Sequence, residues 1–357
     1  MSLFDNMLHS DQSLFKNEIA LDYSFIPKLI PYRESQQKYI ASCIKPLFHE
    51  RNGKNLLVYG KPGVGKTVAC KHIFQELEEE TDDVILIYIN CWQKNTSFKI
   101  MTDICDKLGI KFVQNKKTDE LFGMAKNVVN KKAVVFAFDE VDKAEEFDFL
   151  YSILEDVYRK SVLLITNYKS WLDNLDERIK SRLSGELLEF KHYDLEETRG
   201  ILKQRMEYAF VPGAFSKEAF ELIVKKTAGL EDIRKGLHLM KEAANIAEDR
   251  SSKQISLDDA KKSIGKLDEF SIKDSAELLE DERAILDLVR DGSGGKIGDL
   301  FKSYKDKGGS LAYRTFQRKI NRLEEGKFVS LEKTEGGVEG NTTIVKLREV
   351  NKKLGDF

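Results

Sequence analysis

The chain is poor in cysteine, in long apolar runs and in any surplus of one charge, and each shortage closes off a class of protein. Its four cysteines, Cys43, Cys70, Cys91 and Cys105, form no C-x-x-C pair and no spacing with histidine that suits zinc. They read as reduced thiols of a cytosolic protein, not as a disulfide frame. No apolar stretch approaches the length needed to cross a bilayer, so no membrane partner is expected. The opening segment, MSLFDNMLHSDQSLF, lacks a basic region followed by an apolar one, and no export signal is expected there. Lys plus Arg number 58 against 60 Asp plus Glu, so any affinity for nucleic acid must come from a local patch. Internal repeats and low-complexity tracts are also missing. What is abundant is ordinary core material. Hydrophobic residues make up 41% of the 357, enough for two or three soluble domains.

Apolar runs at NLLVY (55–59), VILIYIN (84–90), AVVFAFDE (133–140), SVLLITN (161–167) and ELLEF (186–190) read as strands. Helical patterns separate them, notably at 98–110 and in KTDELFGMAKNVVN. Strands alternating with helices predict an α/β domain: a mostly parallel sheet with helices on both faces. Before it, Pro27 and Pro31 frame an extended segment, FIPKLIPYRE. After Asp194 the pattern is wholly helical to about Ile264, with Asp194, Ser216 and the pair Ser256/Asp259 as helix starts. GKLDEFSIKDSAE then reads as a linker or a connecting helix. The expected domains are 1–192, 193–270 (a helical lid) and 275–357.

Gly60, Lys61, Pro62, Gly63, Val64, Gly65, Lys66 and Thr67 fit G-x-x-x-x-G-K-T, with Val68 continuing into the helix. Glycines let backbone N–H groups turn inward around phosphate oxygens, and the following helix adds its positive end. Lys66 supplies a point charge, and the Thr67 hydroxyl suits Mg²⁺. Asp139 and Glu140 close a fully apolar strand, where acids are costly unless they face a cation or solvent. Asp139 reads as the second metal-side group and Glu140 as the group that orients the attacking water. Asn167 ends the next strand, where its amide could position water or simply form a turn. Arg234 begins a lid helix and could reach the γ phosphate or lie on the surface.

The last segment has its own logic. LLEDERAILDLVRDG, KIGDLFKSYKDKGG and LAYRTFQRKINRLEEG read as helices. FVSLEKT and TTIVKLRE read as strands joined by the wing GGVEGN. Helix–helix–helix–hairpin is the winged-helix order. Phe316, Ile320 and Leu323 form a buried stripe. Arg314, Gln317, Arg318, Asn321 and Arg322 then face away from it, and their types suit base edges and phosphates. From Lys296 onward there are 14 Lys plus Arg against 9 Asp plus Glu, a local excess of five. Lys333, Asn341 and Thr342 are further candidates for a DNA backbone, while Glu335 and Glu339 put acids in the wing. A protein-docking winged helix is the alternative.

In this order the pieces resemble the AAA+ superfamily, and more narrowly archaeal replication initiators of the origin-recognition-complex and cell-division-control-six type. The residues that carry the resemblance span FIPKLIPYRESQ, GKPGVGKT, INCW (89–92), FAFDEVDK, ITN (165–167), LDERIKSRL (175–183) and GLEDIR (229–234). The resemblance implies that Lys66 and Thr67 are the Walker-A pair, and Asp139 and Glu140 Walker B. It implies Asn167 as the first sensor and Arg234 as the second. Arg182 occupies the arginine-finger region with Arg178 in support, unless both pair with Asp176, Glu177 or Glu186. Pro31, Tyr32 and Arg33 resemble the segment that packs near the adenine. Residues 91–108, with Lys94, Thr96 and Lys99, are where the family's DNA-touching insertion falls. The family carries basic or small residues in the wing, where this chain has acids. The implied protein is a slow ATPase switch using ATP, ADP and Mg²⁺, cytoplasmic and nucleoid-associated. Its implied partners are double-stranded DNA at replication origins, a replicative helicase and other initiator copies. Two rival readings are a signalling or regulatory AAA+/STAND-like NTPase and a clamp or helicase loader.

Overall fold

The computed structural model describes residues 13–111, 113–276, 280–291, 294–325, 328–337 and 340–347. It divides into two compact units, 1–265 and 266–357.

The first unit is built on five strands: β1 Leu56–Tyr59, β2 Val84–Asn90, β3 Ala133–Asp139, β4 Lys160–Thr166 and β5 Glu186–Glu189. They pair in the order β2-β3-β4-β1-β5, every pair parallel. Each run expected from the sequence forms a strand, within a residue or two of its expected ends. Side chains alternate across the sheet, which splits the core in two. Val134, Phe136 and Phe138 of β3 point to one face, where α3 (Ser97–Lys107), α4 (Thr118–Val129), α5 (Asp148–Asp156) and α6 (Glu177–Leu183) cover them. Val135 and Ala137 point to the other face, under α1 (Glu34–Ile44) and α2 (Lys66–Glu80). All seven residues of β3 are buried, which is why it carries no alternation in its sequence. The four cysteines are free and buried.

The lid comprises α7 Leu195–Ala209, α8 Lys217–Leu230, α9 Ile233–Asp249 and α10 Leu257–Ala276. Its expected helix starts are the observed ones. Asp194 accepts from Glu197 N, and Ser216 accepts from Ala219 N. Ser256 N donates to Asp259 at 2.8 Å, completing a reciprocal cap with the Ser256 hydroxyl. The stretch read as linker or connecting helix is helical through Ala276.

One arrangement was not legible in the sequence. Residues 14–25, in the part expected to belong with the sheet, bind the lid. Lys16 N donates to Ala209 O at 2.7 Å, and Leu14 N donates to the Glu248 carboxylate at 2.7 Å. The buried Arg205 guanidinium donates to Ala20 O and Phe25 O and lies over the Phe25 ring. The chain then crosses to the sheet side, where Lys28 O meets His72 Nε2 at 3.0 Å.

The second unit has α11 Glu280–Asp291, β6 Gly295–Lys296, α12 Ile297–Asp306, α13 Tyr313–Glu325, β7 Val329–Gly337 and β8 Gly340–Leu347. The sheet order is β6-β8-β7, all antiparallel. This is the winged-helix order with one strand the sequence did not announce: the two-residue β6, too short for any periodicity. Phe316, Ile320 and Leu323 are each fully buried, as their spacing predicts. No helix among the described residues is long and apolar enough to cross a membrane.

Candidate functional site

Parallel strands deliver all their carboxyl ends to one edge of the sheet, and ligands of such sheets bind there. β1 runs into the glycine-rich loop, β3 ends on Asp139, and β4 ends beside Asn167. Because β4 lies between β1 and β3, Asn167 emerges between the loop and the acid. The loop closes tightly before α2. Gly65 takes φ 89°, and a Cβ there would sit 2.7 Å from the Tyr193 hydroxyl.

Lys66 is 7% exposed, and its ammonium donates to Gly60 O (2.6 Å), Lys61 O (2.9 Å) and Asn167 Oδ1 (2.9 Å). Burial lowers its pKa to about 8, with Asp139 opposing the shift. The Thr67 hydroxyl donates to Asp139 Oδ2 at 2.8 Å. Tyr88 of β2 donates to the same oxygen at 2.5 Å, and Glu140 N donates to Asp139 Oδ1 at 2.9 Å. Both carboxylate oxygens are therefore held in place. Burial first, then the neighbouring Asp139 and Asp142, raise the pKa of Glu140, which strengthens it as a base. Glu140 sits at φ 52°, in the left-handed region, as the N-cap of the short turn of helix Val141–Lys143.

Lys66, Thr67, Asp139, Glu140 and Asn167 line one cavity of about 340 Å³. Pro62, Gly63, Gly65, Lys66, Thr67 and Val68 form its floor, and Asp139, Glu140 and Asn167 form one wall. The lid contributes Ile201, Gln204, Arg205, Ile233, Arg234 and Leu237. The N-terminal segment contributes Asp22, Tyr23, Ser24, Pro27, Ile30 and Pro31. The size and the mix of apolar walls with a few convergent charges suit a small-molecule ligand.

Among the residues expected near a base, only Pro31 lines the cavity. Tyr32 points toward Gly200, where a Cβ would lie 2.1 Å from its hydroxyl. Arg33 stands behind the loop. It is 3% exposed and donates to Val64 O (3.2 Å) and Lys191 O (2.6 Å), with its guanidinium 3.8 Å from the Tyr193 ring centre. It thus ties the loop to the connection between β5 and α7. Gly60, Lys61 and Val64 do not line the cavity either; the first two carbonyls accept from the Lys66 ammonium and the third from Arg33. Sequence reasoning did not find Tyr88, Lys71, Tyr193, Gln204 or Arg205. None belongs to a motif: Tyr88 lies within β2, Lys71 on α2, Tyr193 in the connection before α7, and Gln204 and Arg205 side by side on α7, positions that are silent without the fold.

Arg178 and Arg182 lie on α6, away from this cavity's lining. Arg178 grips Asp176 through two bonds of 3.1 and 3.0 Å, and Arg182 pairs with Glu155 and stacks on Tyr151. The local acids named as alternative partners thus include the right one for Arg178, but Glu155, not Glu177 or Glu186, engages Arg182. In the 91–108 segment Thr96 caps α3, while Lys94 pairs with Asp103 at 3.3 Å and Lys99 donates to Asn95 at 2.8 Å.

On α13, Arg314, Arg318, Asn321 and Arg322 are exposed and Gln317 is half-buried. Arg322 also reaches Glu282 at 3.4 Å, beside the shorter Lys319–Glu282 pair at 2.9 Å. Lys333, Glu335, Asn341 and Thr342 fall on the strand backbones of β7 and β8, but their side chains lie outside the described residues. Glu339 lies outside them altogether.

A glycine-rich loop on a parallel sheet, with an acid pair two strands away and a helical lid over the cavity, defines an AAA+ protein. Residues 49–179 match the AAA domain family, and residues 199–264 match the Cdc6 AAA+ ATPase-type lid domain. ORC1-type DNA replication protein 2 of Methanothermobacter thermautotrophicus is 31% identical over 96% of this chain and 93% of its own length. The protein of the same name from Methanosarcina acetivorans is 29% identical over 96% of both. The chain belongs to the family of ORC1-type DNA replication proteins. Its fold is that of the Aeropyrum pernix ORC1 protein, solved in complex with DNA (TM-score 0.72, 22% identity, 94% of each chain). It is also that of the Aeropyrum pernix ORC2 protein, solved as ADPNP-ADP complexes (TM-score 0.71, 19% identity, 94% of each chain).

Proposed function

We propose that this protein is a replication initiator: it binds double-stranded DNA at origins through its winged helix, switches with bound ATP or ADP, and helps recruit the replicative helicase. The observation that carries the nucleotide half is the convergence of Lys66, Thr67, Asp139, Glu140, Asn167 and Arg234 on one cavity shared by sheet and lid. Hard oxygen donors suit Mg²⁺, and Thr67 and Asp139 would hold it. Held there, the metal would supply positive charge against the β and γ phosphates. Lys66 then steadies the same phosphates, Asn167 and Glu140 orient the water, and Glu140 takes up its proton. Arg234 links the lid to the terminal phosphate. Arg182, with Arg178 beside it, would serve a neighbouring initiator copy, after release from Glu155. Turnover is slow because the site serves as a switch.

The exposed face of α13 supports the DNA half, with Arg314 and Arg318 as its principal cations. The full-length match to proteins named for DNA replication favours this reading over a signalling NTPase with a protein-docking winged helix. Mapping the tagged protein along its genome tests it. One or a few sharp peaks at replication start points are expected; uniform occupancy overturns the reading.

A further inference from the structure

We propose that Asp232 is a positioning residue for Arg234, holding the lid arginine in the orientation from which it reads the terminal phosphate. This deepens the reading above and rests on the cavity being a triphosphate site. Asp232 is the N-cap of α9, and one carboxylate does two things there. Its Oδ1 accepts from Arg234 N at 3.0 Å, which caps the helix. The same oxygen accepts from Arg234 Nε at 3.0 Å, and Oδ2 accepts from Nη2 at 2.8 Å. A guanidinium is a flat fork, and a fork gripped along its Nε–Nη2 edge keeps the Nη1 edge for a second anion. Arg234 lines the cavity together with Lys66 and Glu140, where that second anion would lie.

Asp232 also touches the phosphate loop. It is 9% exposed, and a Cβ on Gly63 would lie 2.0 Å from its Oδ1 and 2.9 Å from its Cα. Only a glycine lets the lid turn settle that closely. The adjacent Glu231 accepts from Lys61 Nζ at 2.5 Å, so the α8–α9 turn rests on the loop at two points. Any shift of the loop around a phosphate is thereby passed to the group that orients Arg234.

A cap alone does not require a charge. Asn serves an N-cap as well as Asp, and an uncharged cap avoids repelling a triphosphate. The carboxylate is explained by the guanidinium it grips. Asp232→Asn separates the two roles, because it retains the cap and removes the charged grip.

Affinities for ADP and for the non-hydrolysable analogue AMP-PNP, with Mg²⁺, are to be measured by calorimetry on the full chain. The set comprises wild type, Asp232→Asn, Arg234→Ala and the double variant. Arg234→Ala is expected to weaken AMP-PNP relative to ADP by about tenfold, the scale of a charge-assisted bond. Asp232→Asn should reproduce about three- to tenfold of that loss, and the double variant should be no worse than Arg234→Ala. The melting temperature of Asp232→Asn should stay within about 2 °C of wild type, which separates positioning from a structural role. An unchanged AMP-PNP to ADP ratio in Asp232→Asn overturns the proposal, as does tighter AMP-PNP binding or losses that multiply in the double variant. An unchanged ratio in Arg234→Ala also overturns it, since nothing is then left to position. Wild type that binds neither nucleotide sinks the site assignment itself, a separate failure from any of these.

Discussion

In the proposed reading the phosphate loop and the outer face of α13 both meet phosphate, and they are built on opposite terms. Lys66 is 7% exposed, fixed by three acceptors, and lowered to a pKa of about 8 by its own burial. Arg314 and Arg318 are exposed, on a helix whose buried stripe leaves them in solvent. The first arrangement spends folding stability to aim one charge at one point. The second leaves its charges in solvent, the arrangement by which a basic surface attracts a polyanion through counterion release. A fixed buried charge suits a small ligand that must be read atom by atom, and loose surface charges suit a long duplex.

The sharpest way to break this contrast is to remove one charge from each place. Lys66→Ala should weaken nucleotide binding about 100-fold or more, measured by calorimetry, because a desolvated site has no other cation in that position. Undiminished binding would mean that the loop is not the phosphate site. On the other face, replacing Arg314 and Arg318 together by Ala should weaken duplex binding about ten- to thirtyfold at moderate salt. It should also reduce the slope of log affinity against log salt by about two. A slope that stays the same would remove these arginines from the interface.

Acidity sharpens the contrast further. Phosphate favours the charged form of Lys66, so nucleotide affinity should fall as pH climbs above about 8, by up to about tenfold per unit. Apo stability should move the other way. Between about 8 and its ordinary 10.5, the unfolded chain keeps the Lys66 proton and the folded chain has lost it. The contribution of this group to stability therefore rises with pH across that window. Titration calorimetry and thermal melts at pH 7 and 9 check both signs. The arginines of α13 stay charged throughout, and duplex binding should show no such step.

The smallest effect concerns Tyr88. Its hydroxyl donates to Asp139 Oδ2, alongside that of Thr67. Tyr88→Phe should lower Mg²⁺-dependent nucleotide affinity by about three- to fivefold, the scale of one hydrogen bond, without loss of the fold. An effect as large as that of Lys66→Ala would mean that Tyr88 itself contacts the ligand.

The sequence by itself determined the strands, the loop, the acid pair, the lid caps and the buried stripe of α13. Each of these is a local pattern: periodicity follows from helix and strand geometry, and G-x-x-x-x-G-K-T is a constraint on consecutive backbone angles. Only the tertiary structure decided that residues 14–25 lie on the lid, that Arg33 braces the loop from behind, that Glu155 holds Arg182, and that Tyr88 orients Asp139. Those choices join residues as far apart in sequence as Leu14 and Glu248, through single contacts that leave no periodic trace. Such pairings depend on which surfaces meet once the cores have formed, and a one-dimensional pattern carries no record of that meeting.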